Sequence, residues 1–158
     1  VKTQANEYLK ESYTNVDGIM ICQICQKELP FQLSNGQYYY EAHELISKDD
    51  LRKHYKENYI ALCPNHGAMF KHINQSEEDL LELVGKADSS TVTILLGQEP
   101  HSIYFTKQHL FDLVGVIRAD KKTEKKSKTI SKIAKPPENT RKKTLGQVSV
   151  AAALGYPL

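Results

Sequence analysis

The chain has 158 residues, 40% of them hydrophobic and 25% charged, which is enough for one modest core with an appendage and speaks against several domains. There is no apolar run of about eighteen residues to cross a membrane, and the opening VKTQANEYLK lacks the basic, apolar, small-residue order of a secretory signal, so no membrane partner is expected. The net charge of +2 hides an asymmetry: residues 1–120 hold 11 Lys or Arg against 17 Asp or Glu, residues 121–143 hold 10 against 2, and the last fifteen carry none.

Residues 3–13 are predicted to be a helix that presents Tyr8, Leu9 and Tyr13 on one side and stops before Asn15. VDGIMICQICQKELPF reads as a turn at Asp17 and Gly18, a short apolar strand, a knuckle at the cysteines and a return. SNGQYYYEAHEL opens on the tight-turn pair Asn35 and Gly36 and continues as an aromatic strand, in which one or two of Tyr38, Tyr39 and Tyr40 belong to the core. Ser47 with Asp50 predicts a capped helix over about 48–57. NYIALC is a strand leading to a second knuckle, followed by a helix that carries Ala68, Met69 and Phe70. Ser76 and Asp79 repeat the capping pattern for another helix. STVTILLGQEPHSIYFT predicts a hairpin turning between Gly97 and Pro100, and Leu110, Leu113, Val114 and Ile117 predict a helix that closes the compact part. Beyond it, 121–143 reads as a basic, lysine-dense linker broken by Pro136 and Pro137, and 144–158 as an uncharged apolar end that can dock on a partner or on the body. There is no internal repeat.

Three cysteines, two of them in Cys22-x-x-Cys25, fit metal binding better than a disulfide framework and point to a reducing, cytoplasmic setting. Cys22 and Cys25 together with the distant Cys63-x-x-His66 supply four ligands, which fill a tetrahedral Zn2+ and leave no open position. Such a site is structural, fastening the first knuckle to the helix that starts near Pro64. The absence of an initiator methionine fits a processed chain or a piece of a larger parent protein.

Between the two halves of this site stand YEAHELIS and ENYIALC, and here residues 19–73 resemble the HNH nucleases, whose fold is a β-hairpin and a helix around a catalytic metal. The resemblance implies a zinc-stabilised hairpin plus helix; with the elements read from periodicity, the expected fold is α+β, a domain over 1–120 extended by an added hairpin and helix and followed by the basic tail. Glu41, Ala42, His43, Glu44, Leu45 and Ile46 occupy the family's first pattern, and Asn58 and Cys63 its second. In that family one histidine ligates a divalent metal, a second activates water and an asparagine steadies the loop or the metal. Carried over, His43 takes the ligand place and Glu44 the place of the base. Gly67 stands where a further ligand usually follows the second knuckle, and His72, one helical turn on, is its substitute. Mg2+, Mn2+ or Ni2+ would be the catalytic ion. Read from the residues alone, His43 is equally a hydrogen-bonded strand residue and Asn58 a turn residue bonding nearby backbone. His54, His101 and His109 read as surface or satisfied histidines.

ICQICQKELPF, YYYEAHEL and YIALCPNHGAMFKH also look similar to zinc modules near the ends of large bacterial ATP-binding or helicase-like proteins, which implies an accessory role beside a larger machine. Three functions follow as expectations. The first is a nucleic-acid-engaging zinc module of a DNA restriction or phage-defence protein, with weakened or lost catalysis. The second is an active metal-dependent endonuclease, and the third a protein-interaction module. Where DNA is the partner, the acidic body repels it, so contact falls to Lys121, Lys122, Lys125, Lys126, Lys128, Arg141, Lys142 and Lys143, a segment that reads equally well as a solvated linker.

Overall fold

In a computed structural model of the chain, residues 1–47 and 55–133 are described. The chain divides into two compact units, Val1–Lys125 and Lys126–Leu158. The first helix, α1, spans Lys2–Tyr13 and buries Ala5, Leu9 and Tyr13, positions four apart that share one helix face. The chain then reverses at Asn15, whose side-chain oxygen accepts from the backbone N–H groups of Asp17 and Ile19, both at 3.0 Å, with Gly18 at φ +77°.

Two antiparallel hairpins follow. β1 (Glu41–Glu44) pairs with β2 (Tyr59–Leu62), setting Glu41 opposite Leu62 and His43 opposite Ile60. All four residues of β2 are buried, as expected of a strand covered on both faces. It runs directly into α2 (Pro64–Ile73), which has Cys63 as its N-cap and Pro64 in its first turn, where a missing N–H costs nothing. A short helix, α3 (Leu80–Gly85), buries Leu80 and Val84. The second hairpin joins β3 (Thr91–Leu96) to β4 (Glu99–Tyr104) through a two-residue turn whose Gly97 has φ +63°, a value that glycine adopts without a Cβ clash. Along β3, Val92, Ile94 and Leu96 alternate inward. The last helix, α4 (Lys107–Ile133), buries His109, Leu113, Ile117 and Asp120. The buried apolar side chains of both hairpins and of α1 to α4 form one cluster, with Leu9, Ile60, Leu62, Ile103, Phe105 and Leu113 at 0% exposure. The fold is thus α+β, a hairpin and helix followed by a second hairpin and helix.

Several expected elements take a different form. The tyrosine run enters regular pairing only at Glu41. Tyr38 makes one isolated bridge to Gln32, all three tyrosines are half-buried, and Tyr40 turns its hydroxyl to Asn6. Ser76 does not cap a helix. It is buried, and its hydroxyl accepts from the backbone N–H of Leu95 at 2.9 Å, so β3 claims it and α3 starts after Asp79 instead. Of the helix expected over 48–57, residues 48–54 lie outside those described, and Lys56–Asn58 form a single 3-10 turn. The final helix continues past residue 120 to Ile133 where a linker was expected, because no Gly or Pro occurs between Gly115 and Pro136 and lysine is a good helix former.

Candidate metal centre

The first knuckle closes through backbone bonds from Cys22 N to Lys27 O at 3.1 Å and from Gln26 N to Cys22 O at 2.9 Å. Gln26 accordingly sits at φ +55°, the one non-glycine with positive φ among the described residues. The Ile24 N–H points at Cys22 Sγ, 3.4 Å away. In the second knuckle Cys63 caps α2, and its Sγ accepts from the His66 N–H at 3.4 Å, where the helix dipole also favours negative charge on sulfur. The ligand atoms of Cys22, Cys25, Cys63 and His66 all lie within 4.8 Å of one another, with His66 Nδ1 3.8 Å from Cys22 Sγ and 3.3 Å from Cys63 Sγ. Bond lengths of about 2.3 Å to sulfur and about 2.0 Å to nitrogen around a tetrahedral zinc imply ligand separations of this size. Burial pushes the Cys22 thiol up to about 12, so a cation beside it is what makes its thiolate accessible near neutrality. His66 is held below the ordinary histidine value by burial and by nearby His101, leaving the neutral imidazole that a metal requires. The cluster can hold a metal ion, and its three sulfurs and one nitrogen are consistent with zinc.

Gln23, inside the first knuckle, was not singled out by sequence reading, yet it is fully buried. Its side-chain oxygen accepts from the Ala61 N–H at 2.8 Å, and its amide nitrogen donates to Tyr104 O at 2.9 Å. Its backbone N–H donates to Ala61 O, and its carbonyl accepts from the Tyr104 N–H. One residue thereby ties β2, β4 and the metal knuckle together. A polar residue enclosed between two cysteines read as metal ligands was the available signal.

On the face of β1 that looks toward α2 lies a second group. His43 Nε2 is 2.9 Å from Glu41 Oε2, and the His43 ring meets Phe70 edge-on at 5.8 Å. Glu41 reaches this place because Gly67 has no side chain: a Cβ there would lie 2.7 Å from Glu41 Cδ and closer still to its Oε2. Glu44 accepts from the hydroxyl of its cross-strand partner Tyr59 at 3.3 Å. His72 is exposed in the last turn of α2, and it does not line the cleft of about 400 Å³ that His43 and Glu44 share with Tyr59, Lys71 and Asn74. Asn58 is buried with both amide atoms engaged by one residue, accepting from Ile46 N–H at 3.0 Å and donating to Ile46 O at 2.9 Å. It therefore positions the end of the strand that bears His43. Glu41 was read only as a pattern residue; the Glu-x-His spacing, which puts two strand side chains on one face, was the signal for its part.

Of the remaining histidines, His109 is fully buried and satisfied, with Nδ1 2.6 Å from the Tyr13 hydroxyl and Nε2 2.8 Å from Glu57 O. His101 packs edge-on against His66 at 5.8 Å, and its buried Nε2 has no hydrogen-bond partner among the described residues. His54 lies outside those residues. Lys121, Lys122, Lys125, Lys126 and Lys128 are exposed on α4, whereas Arg141, Lys142 and Lys143 fall outside the described residues.

No protein-family model matches the chain, and no solved structure does. Among curated proteins, the type IV methyl-directed restriction enzyme EcoKMcrA of Escherichia coli (strain K12) is 34% identical over 65 residues, covering 40% of this chain. The chain spans only 23% of that relative's length. The described residues contain no helix long and apolar enough to cross a membrane.

Proposed function

We propose that this chain carries an HNH-type zinc module that engages DNA as part of a restriction-related protein, with a catalytic centre altered from the usual pattern. The observation that carries the reading is the gathering of Cys22, Cys25, Cys63 and His66 from two knuckles 38 residues apart, which bracket β1 and β2 and reach into the first turn of α2. The similarity to a restriction enzyme supports the same direction. Zinc, when bound, would add folding energy by joining a knuckle and a helix N-terminus that lie far apart in sequence.

The chain's own residues account for weakened catalysis. Glu44 stands in the place of the base, but its carboxylate is turned to Tyr59, and Gly67 offers no ligand atom. His43 is held by Glu41 and Phe70 rather than by a second histidine. A catalytic divalent ion, when bound, would polarise the phosphodiester and stabilise the leaving oxygen. Electrostatic contact with DNA falls to the exposed lysines of α4, since residues 1–120 are net negative. A protein partner, a larger parent and a cytoplasmic setting belong to the same reading.

Electrophoretic mobility shifts with duplex DNA at low and moderate salt test it. Binding that weakens steeply with salt, and that falls further when Lys121, Lys122 and Lys125 are changed to Glu, supports the module. Absence of binding at low salt by zinc-loaded protein overturns it in favour of a protein-interaction finger. Incubation of supercoiled plasmid with Mg2+, Mn2+ or Ni2+, beside His43→Ala, reads residual nicking.

A further inference from the structure

We propose that Glu41 and His43 form the seat of a second divalent cation, the Glu41 carboxylate standing in for the side chain that Gly67 lacks. Three observations converge on this. Glu41 Oε2 and His43 Nε2 are 2.9 Å apart, and two adjacent ligands of an octahedral ion bound at about 2.1 Å are about 3 Å apart. The pair shares one face of β1, and the His43 ring is steadied by Phe70, so one nitrogen and one oxygen are presented together with little rotamer freedom to lose. The carboxylate occupies the space into which any side chain at position 67 would project, so glycine at 67 and an inward Glu41 are one structural choice.

The pair is also reachable. The Glu41 and His43 side chains retain 31% and 19% of their exposure, unlike the Cys22 ligand of the knuckle site. An ion held by two protein ligands keeps its other positions for water or for a phosphodiester oxygen, as Mg2+ and Mn2+ sites on nucleic-acid enzymes do. One carboxylate and one imidazole suit such ions, whereas the three sulfurs of the neighbouring cluster select zinc. The two sites therefore take different metals, one shaping the fold and the other facing the substrate phosphate.

The inference rests on the nuclease-type reading of this face, and its test is separable from that reading. The zinc-loaded full chain is titrated with Mn2+, and the loss of the free-ion electron paramagnetic resonance signal measures uptake, with zinc content followed by elemental analysis. One Mn2+ per chain is expected in addition to the zinc. Its affinity should fall at least about tenfold, the loss seen even when a supporting partner of a ligand is removed, in Glu41→Gln, in His43→Ala and in Gly67→Ala, with zinc content unchanged. Should Gly67→Ala fail to fold, Glu41→Gln decides the matter, because it keeps the shape of the side chain. Wild-type protein that takes up no Mn2+, or Glu41→Gln protein that binds it as wild type does, overturns the seat and leaves Glu41 as the hydrogen-bond partner of His43. A lost seat with salt-sensitive DNA binding intact removes this inference alone; an intact seat without DNA binding removes the proposed partner alone.

Discussion

Two groups beside the β1–β2 hairpin, the knuckle cluster and the Glu41 and His43 pair, contrast in how their chemistry is specified. At the knuckle cluster, local rules do nearly everything: the spacing Cys-x-x-Cys fixes one pair, and the spacing Cys-x-x-His across the start of α2 fixes the other. At the Glu41 and His43 pair, the local rule supplies only a shared strand face, and the decisive fact is tertiary, the space that Gly67 vacates against Glu41. Motif spacing foretells a filled ligand shell, but it does not foretell which side chain enters a gap left by an altered motif.

That contrast can be broken at its stronger end. Cys22→Ser removes a ligand of a site that joins two knuckles, and it should cost about 5 kcal/mol or more, comparable with the stability of a small domain. Circular dichroism melts should show the cooperative transition abolished, and a variant that melts like wild type would remove the metal from the folding argument.

A second expectation concerns the link between the cluster and the rest of the core. Gln23→Ala leaves the Ala61 N–H and the Tyr104 carbonyl without their buried side-chain partners, which should cost about 2–4 kcal/mol in urea denaturation. A loss below about 1 kcal/mol would mean that water replaces the amide.

Away from the knuckle cluster and the Glu41 and His43 pair, His109 sharpens the comparison as a histidine used for packing. Burial holds its pKa below the ordinary histidine value, and the Glu57 carbonyl and Asp112 only partly oppose this. The unfolded chain therefore takes up a proton at about pH 6.5 that the folded chain refuses. Stability is full above that pH and declines as pH falls toward the lowered folded value. In zinc-saturated samples, His109→Gln should be less stable at pH 7.5, yet its decline between pH 7 and 5 should be shallower than that of wild type by up to about 1.4 kcal/mol per pH unit. Parallel declines would assign the acid sensitivity to other groups.

The smallest effect is expected at the knuckle's tip, where Gln26→Gly relieves a left-handed backbone and should raise stability by about 0.5–1 kcal/mol. A destabilised variant would mean that the Gln26 side chain contributes more than its backbone costs.

Much of this molecule was legible before its structure. The helix of residues 2–13, the second hairpin and the α+β order follow from periodicity, because each buries an alternating or fourfold-spaced apolar set of its own. Ser76 misled because a serine three residues before an acid fits a helix cap and a strand tether equally well, and Leu95, nineteen residues on, decides between them. The lysine-rich segment read as a linker from its charge, although the same residues favour helix wherever no breaker intervenes. Asn58 and His43 were named as site residues by pattern; the partner of Asn58, Ile46, is visible only once the strands are paired, whereas Glu41 shares the strand of His43 and was signalled by the Glu-x-His spacing.

The most direct test of the central claim is zinc K-edge X-ray absorption on the purified chain. The account predicts one zinc per chain with three sulfurs at about 2.3 Å and one nitrogen at about 2.0 Å, and loss of the nitrogen contribution in His66→Ala. A fully folded chain that binds no zinc, or a bound ion with mainly oxygen neighbours, would contradict it.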